Sequence, residues 1–227
     1  MLNVFVAALL AFAPKYLDAE QAQLHANSAI AAARETGVDA DLLLAMAWVE
    51  SRFSPFDLSY QLCSSGACIR RTHVWTEALP PKGAKPSWYC GVLQVGGWVS
   101  WDRCLLLRND IPLNYMESAK HLTQWQNDPR CNKLSSSARL TCALRGYSGG
   151  YRSINIGATQ YVKGVRAALW RFRWILKKQQ VASVSFDVPV DIVGSIVNAR
   201  NNERGLIQPL HHRRDKVLRF ETERFAA

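Results

Sequence analysis

No stretch of this 227-residue sequence is apolar for long enough to cross a bilayer, so no membrane-spanning helix is expected. Internal repeats and low-complexity tracts are also lacking, which excludes a solenoid or propeller array. Acidic residues are the scarce charge: 18 Asp and Glu stand against 28 Lys and Arg, a net charge of +10. Such a balance suits an anionic partner, whether nucleic acid, a membrane surface or an acidic cell-wall polymer. Charged residues make up only 20% and apolar residues 48%, which excludes wholesale disorder. The length provides for one good core with at most a small appendage.

The opening MLNVFVAALLAFAP has no Lys or Arg ahead of its apolar run, although Ala11-Phe12-Ala13 has the small residues of a cleavage site. Residues 1–18 are therefore read either as a signal segment or as a hydrophobic helix that stays with the protein. Six cysteines, at 63, 68, 90, 104, 131 and 142, crowd the middle of the chain. An even number in one region indicates disulfides and an oxidising compartment, though six cysteines allow about fifteen pairings. Cys63-x4-Cys68-x4-His73 has some residue types of a zinc site. No second pair at ligand spacing follows, so neither a metal nor another cofactor is expected.

Periodicity predicts a mainly helical fold. Residues 19–36 read as a helix with Ala22, Ala26, Ile30 and Ala33 on one stripe and Gly37 as its stop. Asp39 is placed as the cap of a second helix, ADLLLAMAWVESRF, whose Leu43, Met46, Ala47 and Glu50 share a face. Residues 54–90, rich in Ser, Pro, Gly and Cys, read as a long loop or small β insertion held by disulfides. Further helices follow: NYMESAKHLTQW after Pro112, SSSARLTCALR with Gly146 as its stop, and a long one from Gly157 to Gln180. The long helix carries Tyr161, Val165, Ala168, Leu169, Phe172 and Leu176 on one stripe. Residues 181–227 form a C-terminal extension that begins with a β-like VASVSFDVPV, passes a possible short helix near 190–200 and ends in the basic LHHRRDKVLRF.

Two stretches carry candidate chemistry. Gly146-Tyr147-Ser148-Gly149-Gly150 matches the nucleophile elbow of serine hydrolases. That elbow needs a strand before the serine and an alternating β/α chain, whereas a helix precedes Gly146; Ser148 is not expected to be a nucleophile. Glu50 is the better anchor. It stands at the C-terminal end of an apolar helix, where the dipole disfavours negative charge, and partial burial there favours a protonated general acid. The competing reading pairs Glu50 with Arg52 or another arginine at the helix end.

Four stretches taken in order, DADLLLAMAWVESRFSP, Gly91-Val92-Leu93-Gln94-Val95, Gly146-Tyr147-Ser148-Gly149-Gly150 and Tyr161-Val162-Lys163-Gly164-Val165, together resemble the motifs of the lytic transglycosylases and goose-type lysozymes. DADLLLAMAWVESRFSP is similar to that family's segment in which a helix ends in Glu-Ser-x-Phe. Gly91-Val92-Leu93-Gln94-Val95 resembles its Gly-Leu-Met-Gln-Ile/Val, Gly146-Tyr147-Ser148-Gly149-Gly150 its Ala-Tyr-Asn-x-Gly, and Tyr161-Val162-Lys163-Gly164-Val165 its Tyr-Val-x-x-Val. The four motifs occur in the family's order over residues 20–176.

The resemblance implies a mainly α, lysozyme-like domain at 19–180 with the insertion 54–90, binding glycan strands of peptidoglycan. It implies that Glu50 protonates the bond between N-acetylmuramic acid and N-acetylglucosamine and then acts as base, forming 1,6-anhydro ends. Ser51, Gln94, Tyr147, Ser148 and Tyr161 are the implied substrate-binding residues, with the Tyr161 hydroxyl beside Glu50. Asp57 is the nearest second carboxylate if the enzyme were hydrolytic. The chain departs from the pattern at Ser148, where the family has Asn, in the long Glu50–Gly91 interval, and in 181–227, whose basic residues could meet an envelope or virion protein. Trp88, Trp98 and Trp101 are candidates for stacking on sugars. The implied site of action is the periplasm, the exterior or a phage particle. A non-catalytic glycan-binding or virion module is one rival. A nucleic-acid-binding protein is another, suggested by charge alone and not expected.

Overall fold

The computed structural model describes residues 2–64, 67–74, 84–96, 101–156 and 159–185. Of these, residues 57–64, 67–74, 84–88, 96, 151–156 and 182–185 are described by their backbone only. Among the described residues, seven helices and one small sheet occur: α1 Leu2–Phe12, α2 Ala19–Thr36, α3 Ala40–Ser51, β1 Asp57–Ser64, β2 Ala67–Val74, β3 Ala84–Cys90, β4 Val95–Gly96, α4 Trp101–Asn109, α5 Ile111–Asn127, α6 Ser136–Ile156 and α7 Thr159–Ser185. Met1–Ser183 form one unit. Of the second, Val184–Ala227, only the end of α7 is among the described residues.

Helix α2 is closed at both ends. Asp18 accepts from the Gln21 amide at 2.8 Å, Gln21 returns a bond to the Asp18 amide, and Gly37 ends the helix in the left-handed conformation. Its buried face is Ala22, His25, Ala26, Ala29 and Ala32, rotated from the expected stripe so that Ile30 is only half-buried. In so alanine-rich a helix the small side chains leave the packing face undetermined, and a histidine takes part in it.

Helix α3 is buried all round from Leu42 to Ala47. Asp39 occupies its N-cap position without capping; its carboxylate binds Arg173 of α7 at 3.2 Å, beside a second bond from Arg173 to Asp41. Val49 faces the spot where Gly164 has no side chain, so α7 runs antiparallel to α3. Helix α1 closes the same core: Phe12 meets Trp48 and Phe172 edge-on, with centroids at 5.2 and 5.6 Å.

The 54–90 insertion is a small antiparallel sheet in the order β2-β1-β3-β4. Cys63 and Cys68 stand opposite one another in the β1–β2 register. Of the two described disulfides, Cys90–Cys104 ties the end of β3 to α4, while Cys131–Cys142 lies outside the insertion and ties the α5–α6 connection to α6.

Two boundaries differ from expectation. Gly146 does not stop α6, which continues to Ile156 and bends at Gly150 (φ 66°). A side chain at Gly146 would collide with the Trp125 ring (2.9 Å to Cε2), so this glycine serves close packing of α5 on α6. Val181–Ser185, expected to be β-like, continue α7: weak β propensity yields where a long helix need only propagate. Residues 186–227, with the expected short helix and basic stretch, lie outside the described residues, as does Trp98.

Candidate functional site

Helix α3 delivers Glu50 half-buried at its C-terminal end. The chain then turns through two left-handed residues, Arg52 (φ 55°) and Phe53 (φ 70°). The only other non-glycine residue with positive φ among the described residues is Gln94 (φ 49°), in the Gly91–Val95 turn. Ser51 joins the two strained segments, its Oγ donating to the Val92 carbonyl at 2.7 Å. Left-handed non-glycine residues cost about 1–3 kcal/mol each and gather where surrounding structure holds a site in place.

Arg52 does not pair with Glu50. Its Nη1 donates to Tyr16 Oη at 2.8 Å and its guanidinium lies 5.8 Å from the Trp48 ring. The turn is held from behind by His25, whose ring is buried against Phe53 (5.1 Å) and hydrogen-bonded to Tyr115 Oη at 3.1 Å. Burial lowers the His25 pKa to about 4, partly offset by a hydrogen bond to the Phe53 backbone, so the ring is neutral near pH 7.

The Gly91–Val95 turn is gripped from three helices. Asn114 of α5, fully buried, donates from Nδ2 to the Cys90 carbonyl (2.9 Å) and accepts the Leu93 amide at Oδ1 (2.9 Å). Tyr147 of α6 donates to the Leu93 carbonyl at 2.7 Å, and Ser51 of α3 holds Val92. Gly91 (φ 76°) is required here, because a Cβ would overlap the Asn114 amide and lie 2.8 Å from the Leu107 carbonyl. Gln94 is buried and donates from Nε2 to the Gly91 carbonyl at 3.0 Å, closing the turn on itself.

Tyr147 and Tyr161 converge on Glu50. The Tyr147 phenol is raised well above its ordinary pKa by burial and then by the Glu50 carboxylate. Tyr161 is raised by burial, by the Glu50 charge, by Tyr147 and by hydrogen bonding toward Glu50. Its hydroxyl oxygen is buried and meets no partner at full hydrogen-bond geometry, so the Glu50 approach is close but not closed. Among the described residues Glu50 is the one carboxylate acting on either phenol. Both phenols stay protonated near neutral pH; the Tyr147 proton is committed to the Leu93 carbonyl, which leaves the Tyr161 hydroxyl to donate toward the carboxylate or a bound group.

The structure thus brings together Glu50, Ser51, Gln94, Tyr147 and Tyr161. Ser148 is half-buried, and its Oγ donates to the Arg145 carbonyl of its own helix at 3.2 Å. Asp57 opens β1, and its side chain is outside the description. Sequence reading missed Asn114, Ser118 and His121. The first two lie four residues apart on the apolar stripe of α5, and a buried amide or hydroxyl among apolar neighbours needs partners worth seeking. His121 accepts the Trp125 Nε1 proton at Nε2 (3.0 Å) and lies 5.1 Å from the Tyr147 ring; burial lowers its pKa.

Compared with protein-family models, curated proteins and solved structures, the chain matches none.

Proposed function

We propose that this chain is a peptidoglycan lytic transglycosylase on a lysozyme-like domain, with Glu50 as general acid and base. The observation supporting this reading is the meeting of Glu50 with two phenols whose hydroxyls are buried, Tyr147 and Tyr161, drawn from three separate motifs. Glu50, protonated, would give its proton to the oxygen between N-acetylmuramic acid and N-acetylglucosamine as that bond breaks. The carboxylate would then take the proton of the muramic C6 hydroxyl, whose oxygen closes onto C1. A 1,6-anhydro ring results, the acid is regenerated and no water is consumed. Tyr161, its proton retained, would donate toward Glu50 when the carboxylate is charged. The glycan strand is the proposed partner. The two disulfides suit work outside the cytoplasm or in a virion.

Mass spectrometry of fragments released from purified peptidoglycan tests the reading. The expected products end in 1,6-anhydro-muramic acid, one water lighter than reducing ends, and Glu50→Gln abolishes their release without lowering the melting temperature. Reducing ends alone would make the enzyme a hydrolytic muramidase. Undiminished release by Glu50→Gln would overturn the catalytic assignment.

A further inference from the structure

One turn back from Tyr147 along α6, the surface opens into a cavity of about 600 Å³ that the catalytic reading does not use. Arginines enter it from three segments: Arg130 from the α5–α6 connection, Arg145 from α6 and Arg166 from α7. Ser135, Ser137 and Thr141 share the wall with them, beside Leu134, Ala138 and Cys142, and no acidic side chain lines it.

The three cations are not equivalent. Arg130 is held by Asp128, bonded from Nε to Oδ1 at 2.8 Å and from Nη2 to Oδ2 at 2.9 Å, so it adds little net charge. Arg166 reaches across to α6, its Nη2 donating to Thr141 Oγ1 at 2.7 Å and Ser137 Oγ at 3.1 Å. Both acceptors are neutral, so its charge is uncompensated. The Nε of Arg145 is buried without a hydrogen-bond partner. Among the described residues no carboxylate pairs with Arg145 or Arg166. Arg145, half-buried with its Nε shut off from water and no anion beside it, is in an unfavourable arrangement in the absence of a ligand, and the exposed Arg166 adds a second cation at the mouth.

The wall is also fixed. The Cys131–Cys142 disulfide clips the Arg130 segment to α6, and Cys142 itself lines the cavity. Arg166, through Ser137 and Thr141, ties α7 to the same turn of helix. The first turn of the 21-residue α6 lies at the rim and adds a field of the same sign.

We infer that this cavity binds a phosphate group, as a phosphomonoester or phosphodiester, between Arg145 and Arg166. Two guanidiniums arriving from different helices suit the divergent oxygens of a tetrahedral anion better than a single planar carboxylate. The volume leaves room for the group that carries the phosphate. The inference is independent of Glu50.

Calorimetric titration of the intact protein with inorganic phosphate, at ionic strength held constant with chloride, tests it. Saturable binding is expected, weakened about tenfold in Arg145→Gln, since each charge-assisted bond to an anion is worth about a factor of ten. Ala138→Glu places a carboxylate on the exposed wall near the helix start, where the dipole tolerates it, and is expected to abolish binding with the fold intact. Poly(glycerol phosphate) and phosphatidylglycerol vesicles, each titrated in parallel, identify the source: the one bound more tightly than free phosphate, and lost in Ala138→Glu, carries the natural group. Phosphate heats no different from those of chloride would overturn the inference. So would binding that both variants leave unchanged.

Discussion

Ser51 and Val92, 41 residues apart in sequence, are joined by a 2.7 Å hydrogen bond from the serine hydroxyl to the valine carbonyl. That bond fastens the end of the Glu50 helix to the Gly91–Val95 turn. Tyr147 makes the matching bond to the next carbonyl, Leu93. Ser51→Ala and Tyr147→Phe each leave a buried carbonyl unpaired, at a cost of about 1–3 kcal/mol. Urea denaturation should show that loss in each variant, and less than the sum in the double variant, because both bonds restrain one turn.

His25 should make stability sensitive to acid. Its pKa is near 4 in the folded protein and near 6.5 unfolded, so below pH 6.5 the unfolded chain binds more protons. The contribution is fully present above pH 6.5 and is lost as pH falls toward 4, where the loss reaches about 3 kcal/mol. Carboxylates titrate in the same range. The measurement is therefore the difference between wild type and His25→Gln, which should be less stable at pH 7 but lose less on acidification.

Two glycines with nearly the same backbone should respond differently to alanine. Gly37 and Gly91 have φ of 75° and 76°, yet a Cβ at Gly37 meets nothing within 4 Å while one at Gly91 meets Asn114 and Leu107. Gly37→Ala should cost about 1 kcal/mol, the penalty of a left-handed alanine. Gly91→Ala adds overpacking of about 1–3 kcal/mol more and should also displace the turn that Asn114 holds. Thermal melts of the two variants, run side by side, test the ordering.

Removing the Cys90–Cys104 bond should cost about 3 kcal/mol, from the chain entropy of a loop closed over 14 residues. The Cys90→Ala/Cys104→Ala variant also releases the strand end adjoining Gly91. Wall-clearing activity, if Glu50 is catalytic, should therefore fall at temperatures where the variant is still folded by circular dichroism.

How far the fold was legible depended on the kind of signal. The stripes of α5 and α7 were readable because large side chains such as Tyr115, Leu122, Val165 and Phe172 mark one face. The stripe of α2 was misplaced because alanines carry little directional information. Gly146 reads locally as a stop, whereas its use as a seat for Trp125 is a tertiary fact, invisible to a local rule. Glu50 stood out from its unfavourable place at a helix end, and Tyr161 and Tyr147 from motif resemblance. Asn114 and His25 escaped notice because each looks like an ordinary helix residue until the turn it holds is folded against it.

The grip on the Gly91–Val95 turn falls on main-chain atoms: the carbonyls of Cys90, Val92 and Leu93 and the amide of Leu93. Main-chain atoms are common to every residue type, so the side chains of Val92, Leu93 and Val95 can drift among apolar shapes while the turn keeps its form. The tethering residues Ser51, Asn114 and Tyr147 have no such latitude. A lineage carrying this fold would therefore diverge faster at Val92, Leu93 and Val95 than at Gly91, Gln94 or the helical residues that clasp the turn.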